Sequence, residues 1–371
     1  MAAVRKARQP AKKKKPARRK QDPHRARLIK IAASIGGRGR FMSTLEEFSS
    51  VPLDHPGLTR AFQLKGAPVG CVWVVHGPTH GGKTAFTARL IRNFQQAGAV
   101  TAFIDAEMIA DRNWFELMGV NLNELIYVGR TDKSKKQKRR GLTYEETVDG
   151  VESVMRSYQE ERGKKPPLLI VVDSINRLVP EGFVNALEKD GGKALRKSAV
   201  GRESALLSSA WIMGVGPRVC DDDIALVLIA HEGDNKGGKP WEKNWYVKGG
   251  GELLFEAGVQ VRVAFAGRSQ DVKDGDTTGK RHRVTVLKNK LGRSDEQAYL
   301  FTGNGVGKAP LGFDEPRELV TEALHQKLLK APASLMMGSV IKYGRREIKL
   351  ADLYGKNAEK LLGEIRQLFD D

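Results

Sequence analysis

Short apolar runs alternate with mixed polar and apolar stretches along most of the chain. The clearest runs occupy residues 71–75, 168–172 and 224–230. Continuous apolar runs of this length are typical of strands that are buried on both faces of a parallel sheet. Between them, residues 85–98 and 144–162 have the length and the polar–apolar mixture of helices. This alternation predicts an α/β fold with a mostly parallel sheet flanked by helices.

The remaining pattern is less regular but extends the same scheme. We predict further helices at 26–34 and 113–118, further strands at 99–105 and 124–128, and a strand pair near the sheet edge at 259–265 and 282–290. Two glycine-containing zones, 180–202 and 232–251, have no clear period and are predicted to be irregular. From about residue 311 the pattern becomes helical and the remaining segment is short. Ligands of such folds bind at the carboxyl ends of the strands.

Four segments follow from these boundaries. Residues 1–25 are predicted to be a disordered basic tail, and residues 26–55 an N-terminal helix and linker. Residues 56–308 are predicted to form the main α/β core, and residues 309–371 a small C-terminal α/β domain.

Positive charge is concentrated at the N-terminus. The 371 residues carry a net charge of +19, and residues 1–30 contain 13 Lys and Arg against the single acid Asp22. Such a segment cannot bury enough apolar surface to fold alone. It favours capture of a polyanion by counterion release. A solubilising tail, an expression remnant and a mitochondrial transit peptide are the alternatives, although the Lys-rich, Pro-broken pattern gives a poor amphipathic helix.

Other composition features narrow the class of protein. The chain is 40% hydrophobic, which is enough for a substantial core, and it has no run of 18 apolar residues that would predict a membrane span. Its two cysteines, Cys71 and Cys220, form neither a metal-binding pattern nor a disulfide framework. We therefore expect a protein of a reducing compartment.

One motif carries clear chemistry. Residues 77–84, GPTHGGKT, follow an apolar strand and precede a predicted helix. Glycines at the two fixed positions allow a tight turn whose N–H groups, together with the helix N-terminus, bind phosphate oxygens. Lys83 supplies a cation for the phosphates, and the Thr84 hydroxyl is suited to Mg²⁺. The motif predicts a nucleoside triphosphate site with ATP and Mg²⁺ as cofactors.

Two carboxylates are candidate partners of this loop. Asp173 ends the strand 168–173, where a carboxylate beside a phosphate loop commonly serves the metal. Glu107 follows the strand 99–105 and could orient the attacking water as a general base. On local grounds Glu107 could equally be an acid at a helix N-terminus, favoured by the helix dipole.

The zone 232–251 has the chemistry of a single-strand binding loop. It interleaves cations with aromatic residues and ends in glycines; its candidate DNA contacts are Lys236, Lys239, Trp241, Lys243, Trp245, Tyr246, Lys248, Gly249, Gly250 and Gly251. Cations contact phosphates and aromatic faces stack on bases. A partner-binding loop is the alternative. In the first zone Arg196, Lys197 and Arg202 are weaker candidates, and the basic segment 132–140 could hold a second duplex or be a solvated face.

Four stretches of the sequence resemble a known protein family. The stretch from Gly77 to Glu107 resembles the core of RecA-family DNA strand-exchange recombinases, as do LIVVDS (169–174), GGGELLFEAGVQVRV (249–263) and RVTVLKNKLGRSDEQAYL (283–300). The resemblance covers roughly residues 26–370. His231 and the triple glycine resemble the phage-encoded branch of the family.

The resemblance implies particular roles. Glu107 would activate water, Asp173 and Thr84 would serve the metal, Asp111 and Trp114 would hold the adenine, and His231 would sense the γ-phosphate. Lys288 and Lys290 would reach the ATP of a neighbouring subunit. The implied nucleotide contacts also include Gly77, Pro78, Thr79, His80, Gly81, Gly82, Lys83, Thr84 and Ala85.

The chain also departs from the common bacterial pattern of the family. Leu254 stands where a lysine is frequent, Gln260 stands where an arginine is frequent, and the final LFDD lacks a long acidic tail. The first two differences affect the expected subunit interface, whereas a long acidic tail moderates DNA binding in many members of the family.

The resemblance implies an ATP-dependent recombinase that forms helical filaments on single-stranded DNA and exchanges strands with a duplex. It also implies that residues 26–55 dock on the neighbouring subunit and that the protein acts in the cytoplasm of a bacterial or phage-infected cell. Accessory single-strand binding and loader proteins would be additional partners. The alternatives are a ring-forming helicase of the same fold and a DNA-coating protein for which ATP is only an assembly switch.

Overall fold

The computed structural model describes most of the chain. The described residues are 23–34, 49–63, 65–129, 141–161, 165–191, 200–235, 245–249, 251–270, 277–292, 294–331, 335, 339–343, 346–354 and 358–369. The chain divides into two compact units, residues 1–47 and 48–371. The described part of the first unit is a single helix.

The described strands are numbered in chain order. They are β1 (Ser50–Val51), β2 (Ala67–Pro68), β3 (Cys71–Gly77), β4 (Val100–Asp105), β5 (Leu125–Val128), β6 (Leu168–Asp173), β7 (Ile224–Asp234), β8 (Trp245–Val247), β9 (Val259–Gln270), β10 (Thr277–Asn289), β11 (Glu296–Asn304), β12 (Leu311–Phe313), β13 (Val340–Tyr343) and β14 (Arg346–Lys349).

The described α-helices are numbered in the same way. They are α1 (Pro23–Ser34), α2 (Pro56–Phe62), α3 (Lys83–Gln96), α4 (Arg112–Leu117), α5 (Tyr144–Glu160), α6 (Glu181–Asp190), α7 (Val200–Asp221), α8 (Gly251–Glu256), α9 (Glu315–His325) and α10 (Ala358–Gln367). None of the helices described is both long enough and apolar enough to cross a membrane.

One large mixed sheet organises the second unit. Its strand order is β12-β11-β10-β9-β3-β7-β6-β4-β5, and β8 pairs with β7 beside this path. The strands from β9 to β5 pair in parallel, whereas β9, β10, β11 and β12 pair antiparallel. The α/β prediction is confirmed, because continuous apolar runs form the central parallel strands.

Both faces of the central strands are buried. Trp73 and Val75 of β3 belong to one core cluster, which includes the apolar face of α3. The alternate residues Val72 and Val74 belong to a second cluster, which includes α5 and α7. This alternation is the geometric consequence of successive side chains pointing to opposite sides of a strand. Because each side of the strand faces a core, polar residues do not alternate with the apolar ones in these runs.

The prediction that residues 180–202 and 232–251 are irregular is wrong in part. Residues 181–190 form α6, and the long helix α7 begins at Val200, within the first zone. In the second zone, residues 232–234 continue β7, residues 245–247 form β8, and α8 begins at Gly251. Glycine content suggested loops here, but pairing between β7 and β8 and packing of α7 override that local preference.

The strand pair predicted near the sheet edge is correct as a pair but lies further inside. β9 and β10 pair antiparallel, and β11 and β12 continue the sheet beyond them. The strand β11 and the three-residue strand β12 lack a clear apolar period, which is why the sequence pattern missed them. The C-terminal segment combines α9 and α10 with the hairpin β13–β14 around its own small core, so it is not purely helical.

Candidate nucleotide site

The phosphate loop connects the end of β3 to the start of α3. Its glycines are required by close packing against β9, since a Cβ at Gly77 or Gly81 would lie 1.9 or 2.5 Å from the carbonyl oxygen of Val263. Gly82, which precedes α3, has a left-handed φ of 102°, and this backbone region favours glycine. Sheet packing and backbone conformation therefore fix the loop.

Lys83 lies inside the loop. Its Nζ donates hydrogen bonds to the carbonyl oxygens of Gly77 at 3.1 Å and Pro78 at 3.0 Å. Burial lowers the pKa of Lys83, while the negative charges of Asp173, Glu232 and Glu107 act in the opposite direction. The ammonium group is thus placed where phosphate oxygens can replace the two carbonyls.

Thr84 and Asp173 meet at the carboxyl end of the sheet. The Thr84 hydroxyl donates to Oδ2 of Asp173 at 3.0 Å. Burial, and next the nearby charge of Glu107, raise the pKa of Asp173 to about 6. A hydroxyl and a carboxylate are oxygen ligands of the kind that Mg²⁺ prefers, and Mg²⁺ commonly completes its shell with water and phosphate. In the part of the chain that is described, no group of three or more His, Cys, Asp or Glu could hold a metal by itself.

Glu107 is held between two partners. Its Oε1 lies 2.8 Å from Nε2 of His231 and accepts a hydrogen bond from the Ser174 hydroxyl at 2.6 Å. The hydrogen bond to His231 is the largest influence on this carboxyl and lowers its pKa to about 2. Glu107 is therefore a carboxylate at neutral pH, and one of its oxygens already has two contacts.

Sequence reasoning overlooked Asp105. This buried carboxylate accepts hydrogen bonds from the backbone N–H groups of Ile109 and Ala110 at 3.2 and 3.0 Å, and from the Tyr127 hydroxyl at 2.8 Å. These bonds fix the turn that carries Glu107. In the sequence, Asp105 stands out only as part of the stretch FIDAE, in which Glu107 was chosen as the candidate catalytic residue.

A cavity of about 340 Å³ opens over the phosphate loop. Trp114 and Met118 contribute to one part of its lining, and Lys280, His282 and Thr302 contribute from β10 and β11. The predicted phosphate residues from Thr79 to Ala85, together with Glu107, Asp173 and His231, also line it.

Asp111 and Trp114 occupy different positions. The Asp111 side chain is the N-cap of α4 and accepts from the backbone N–H of Trp114 at 2.8 Å; it is not among the residues that line the cavity. The Trp114 ring packs edge-on against Phe115 at 5.2 Å between centroids and reaches the cavity. Trp114 is thus the better placed of the two predicted adenine contacts.

Lys288 lies near the end of β10 and Lys290 follows the strand; neither residue lines this cavity. The Lys288 ammonium donates to the carbonyl oxygens of Leu254 at 2.9 Å and Phe255 at 2.7 Å, where α8 ends. Burial lowers the pKa of Lys288, and the charge of Lys290 acts in the same direction. The Lys290 side chain is exposed.

The hairpin of β7 and β8 begins at the nucleotide site. The backbone N–H of Lys248 donates to the carbonyl oxygen of His231 at 2.9 Å. The half-buried Trp245 ring lies 5.1 Å from the His76 ring and 5.0 Å from the Arg262 guanidinium carbon. By contrast, Tyr246 is 53% exposed. The geometry therefore favours a packing role for Trp245 and leaves Tyr246 accessible.

A buried ionic cluster anchors this hairpin to β3 and β9. Glu232 lies 2.8 Å from Nδ1 of His76 and accepts two hydrogen bonds from Arg262, at 2.7 and 2.9 Å. Gln260 contacts the other ring nitrogen of His76 at 2.9 Å. None of these four residues was singled out for this contact from the sequence, because they are distant along the chain and match no motif.

Several predicted DNA contacts lie outside the described residues. They are Arg196, Lys197, Lys236, Lys239, Trp241, Lys243 and Gly250, as well as the basic segment 132–140. Arg202 lies in α7 and Gly251 begins α8. Lys248 is exposed, and Gly249 has a left-handed φ of 117°.

The chain has a phosphate loop between the buried parallel strand β3 and the helix α3, and Asp173 ends the nearby strand β6. These features define the class of phosphate-loop nucleotide-binding proteins. Within that class the chain belongs to the RecA family, since the family model described as RecA N-terminal domain matches residues 34–306.

Individual relatives agree with this membership. The chain is 28% identical over 299 residues to Protein RecA of Mycobacteroides abscessus, covering 78% of each protein. It is 25% identical over 359 residues to Protein RecA of Porphyromonas gingivalis, covering 94% of this chain and 95% of that protein. It is 26% identical over 349 residues to the mitochondrial DNA repair protein recA homolog of Dictyostelium discoideum, covering 93% of this chain and 70% of that protein.

Proposed function

We propose that this protein is an ATP-dependent homologous recombination protein. It forms helical filaments on single-stranded DNA, catalyses homologous pairing and strand exchange, and hydrolyses ATP in response to DNA. The observation that carries the proposal is the contact of His231 with Glu107: a residue at the base of the β7–β8 hairpin touches the candidate catalytic base at 2.8 Å. The strand that leads into the predicted DNA-binding segment therefore contacts the nucleotide site through this residue pair.

ATP binding is assigned to the phosphate loop and its surroundings. The N–H groups of the loop and of the start of α3 bind phosphate oxygens, assisted by Lys83. Thr84 and Asp173 supply oxygen ligands for Mg²⁺, which would stabilise negative charge on the phosphates when bound. Trp114 offers a large aromatic face for the base.

Hydrolysis is assigned to Glu107 acting as a general base. A carboxylate with a low pKa is a weak base, and here His231 and Ser174 occupy one of its oxygens. We infer that DNA binding at the hairpin moves His231 away and releases Glu107 to orient water. DNA-dependent hydrolysis then follows from a change in one hydrogen bond.

DNA binding is assigned to the segment 232–251 and to the cations before residue 25. Tyr246 and Lys248 are exposed in the described part of this segment, where a ring can stack on a base and an ammonium can contact phosphate. Subunits join head to tail, a heterologous contact that does not close and therefore produces a helix. Lys288 and Lys290 complete the ATP site of the neighbouring subunit.

Strand invasion tests the proposal directly. The protein, a labelled single strand and a homologous supercoiled plasmid should form a D-loop with ATP and Mg²⁺, whereas a non-homologous plasmid should not. Lys83→Ala should abolish the product, and electron microscopy should show helical filaments on single-stranded DNA. Rings around the strand, or D-loops that persist in Lys83→Ala, would refute the proposal.

A further inference from the structure

His282 is a buried histidine that no motif predicted. It lies on β10, 4% exposed, and its Nδ1 is 2.8 Å from the carbonyl oxygen of Gly81 in the phosphate loop. Its other ring nitrogen, Nε2, is 3.3 Å from the Thr302 hydroxyl on β11. The ring therefore connects the phosphate loop to the antiparallel part of the sheet.

The chemistry of these contacts assigns the protons. A carbonyl oxygen can only accept, so Nδ1 must carry a hydrogen and donate it to Gly81. In a neutral ring Nε2 then carries only a lone pair, so the Thr302 hydroxyl donates a hydrogen bond to it. Burial lowers the pKa of His282, and the charge of Lys280 also lowers it, while the bond to Gly81 acts in the opposite direction. The ring is thus a neutral imidazole with its proton on Nδ1.

The His282 ring also leaves no space for a side chain at Gly82. A Cβ at Gly82 would lie 2.4 Å from Nδ1 of His282, which is well inside van der Waals contact. The loop therefore rests directly on the imidazole, and the glycine at this position is required by that contact in addition to its φ of 102°.

The bond to Gly81 fixes the direction of a neighbouring N–H group. The Gly81 carbonyl and the Gly82 N–H belong to the same peptide unit, and in a trans peptide they point in opposite directions. When His282 holds the carbonyl on its own side, the Gly82 N–H must point away from His282. The N–H of Gly81 itself is already used within the loop, donating to the Pro78 carbonyl at 3.0 Å.

We propose that His282 is a positioning residue for nucleotide binding, which holds the Gly81 carbonyl and thereby presents the Gly82 N–H to a phosphate oxygen. The inference rests on the proposed function, because it requires the loop to bind a nucleoside triphosphate. His282 itself acts through the loop backbone. It lies on β10 together with Lys288, and Lys290 directly follows this strand, so one segment carries the support of its own loop and the cations proposed for the neighbour's site.

A pair of substitutions separates the two ring nitrogens. In His282→Asn the amide nitrogen can occupy the position of Nδ1 and still donate to Gly81, whereas in His282→Gln the amide lies near Nε2 and cannot. Binding of a fluorescent ATP analogue with Mg²⁺ is measured for the full-length protein and both variants. We expect His282→Asn to bind within about 3-fold of wild type and His282→Gln roughly 10- to 100-fold more weakly, as for loss of a hydrogen bond to a charged group.

The turnover number at saturating ATP should change much less than the dissociation constant, because no catalytic group is altered. Equal affinities in the two variants, whether reduced or unchanged, would overturn the proposal. If wild type binds no more tightly than Lys83→Ala, the proposed function fails instead.

A second measurement does not depend on the behaviour of His282→Gln. In ¹⁵N-histidine-labelled wild-type protein, nuclear magnetic resonance distinguishes a protonated ring nitrogen from a lone pair. The His282 signals, assigned by their loss in His282→Asn, should show the proton on Nδ1. A proton on Nε2 would overturn the inference, even if His282→Gln proved too unstable to study.

Discussion

The imidazole of His231 and the carboxylate of Glu107 lie 2.8 Å apart, from Nε2 to Oε1. Glu107 follows β4 and His231 lies in β7, and these strands are separated in the sheet by β6, which ends at Asp173. The pair therefore spans the strand that carries the candidate metal ligand. The proposed movement of His231 would release Glu107, whose charge in turn influences Asp173.

Replacing Glu107 tests its proposed catalytic role. Glu107→Gln keeps the size and the contact with Ser174 but removes the base, so DNA-stimulated phosphate release should fall by roughly 10²- to 10⁴-fold. ATP affinity, measured with a fluorescent analogue, should remain within a few-fold of wild type. Glu116→Gln, at an exposed acid of α4, is the matched control and should hydrolyse ATP normally. Normal hydrolysis by Glu107→Gln would assign the base elsewhere.

His55 should make the folded protein sensitive to acid. It is buried, its Nδ1 accepts from the Leu58 N–H at 3.2 Å, and its Nε2 lies 3.0 Å from the Tyr299 carbonyl. Burial and the nearby Arg89 charge lower its pKa to about 4. Between that value and 6.5 the unfolded chain binds more protons, so this contribution to stability is complete above pH 6.5 and is lost as the pH falls towards 4.

The size of this effect is roughly 3 kcal/mol at most. His55→Asn retains an acceptor for the Leu58 N–H but has no group that titrates in this range. Urea denaturation of both proteins from pH 4 to 8 should show wild type losing its advantage as the pH falls. Burial raises the pKa of Glu318 to about 7 and gives the opposite slope, but Glu318 is present in both proteins. A difference that does not vary with pH would contradict a neutral buried His55.

The two described aromatic residues of the β7–β8 hairpin should differ in function. Tyr246→Ala should weaken binding to a fluorescent single strand by roughly 1–3 kcal/mol, as for loss of a stacking side chain, without lowering the free energy of unfolding. Trp245→Ala removes contacts with His76 and Arg262 and should destabilise the fold by about 1–3 kcal/mol, less than a fully buried tryptophan. The reverse pattern would place Trp245 on the DNA and Tyr246 in the packing.

The sequence predicted the parts of the fold that depend on local pattern. Buried strands such as β6 and β7 are recognisable because short, continuous apolar runs are typical of strands that are buried on both faces of a sheet. α7 was missed because its apolar residues surround much of the helix and include Pro217, so it lacks a distinct amphipathic period. β11 was missed because its place is determined by pairing with β10, which is a contact between segments.

The same distinction applies to the site. The phosphate loop, Asp173 and Glu107 were found because motif and strand ends are local features. His282 and the Glu232–Arg262 pair act through contacts with residues far along the chain, and no local spacing identifies such contacts. Asp105 binds the turn four and five residues further on and also Tyr127, but the sequence pattern favoured Glu107 in the same stretch. Trp245 was predicted to stack on DNA from composition alone, which cannot tell which of two adjacent aromatics in a strand faces inward.

The N-terminal cations should contribute to DNA binding through counterion release. Residues 1–22 contain ten Lys and Arg, and each one that contacts a single strand adds roughly 0.7 to the slope of log affinity against log salt. Deleting these residues should make the slope less steep. A chain of unchanged length with the ten cations changed to glutamine should match the deletion. An unchanged slope in both would show that the tail takes no part in binding DNA.

Mixing experiments can test whether Lys290 completes a neighbour's ATP site. Lys83→Ala destroys a subunit's own phosphate loop but leaves its Lys290 intact, and Lys290→Ala does the opposite. Each protein alone should have little DNA-stimulated ATPase activity, since every site in its filament lacks one component. In a mixed filament, a site formed by the loop of one variant and the lysine of the other is complete.

An equimolar mixture should therefore regain up to about a quarter of wild-type activity, because random assembly gives that fraction of complete interfaces. The exposed Lys327, in the turn after α9, is the matched control: Lys327→Ala should be active alone. If the mixture shows no more activity than the average of its components, Lys290 serves its own subunit or does not serve ATP. Substantial activity of Lys290→Ala alone would exclude it from the site altogether.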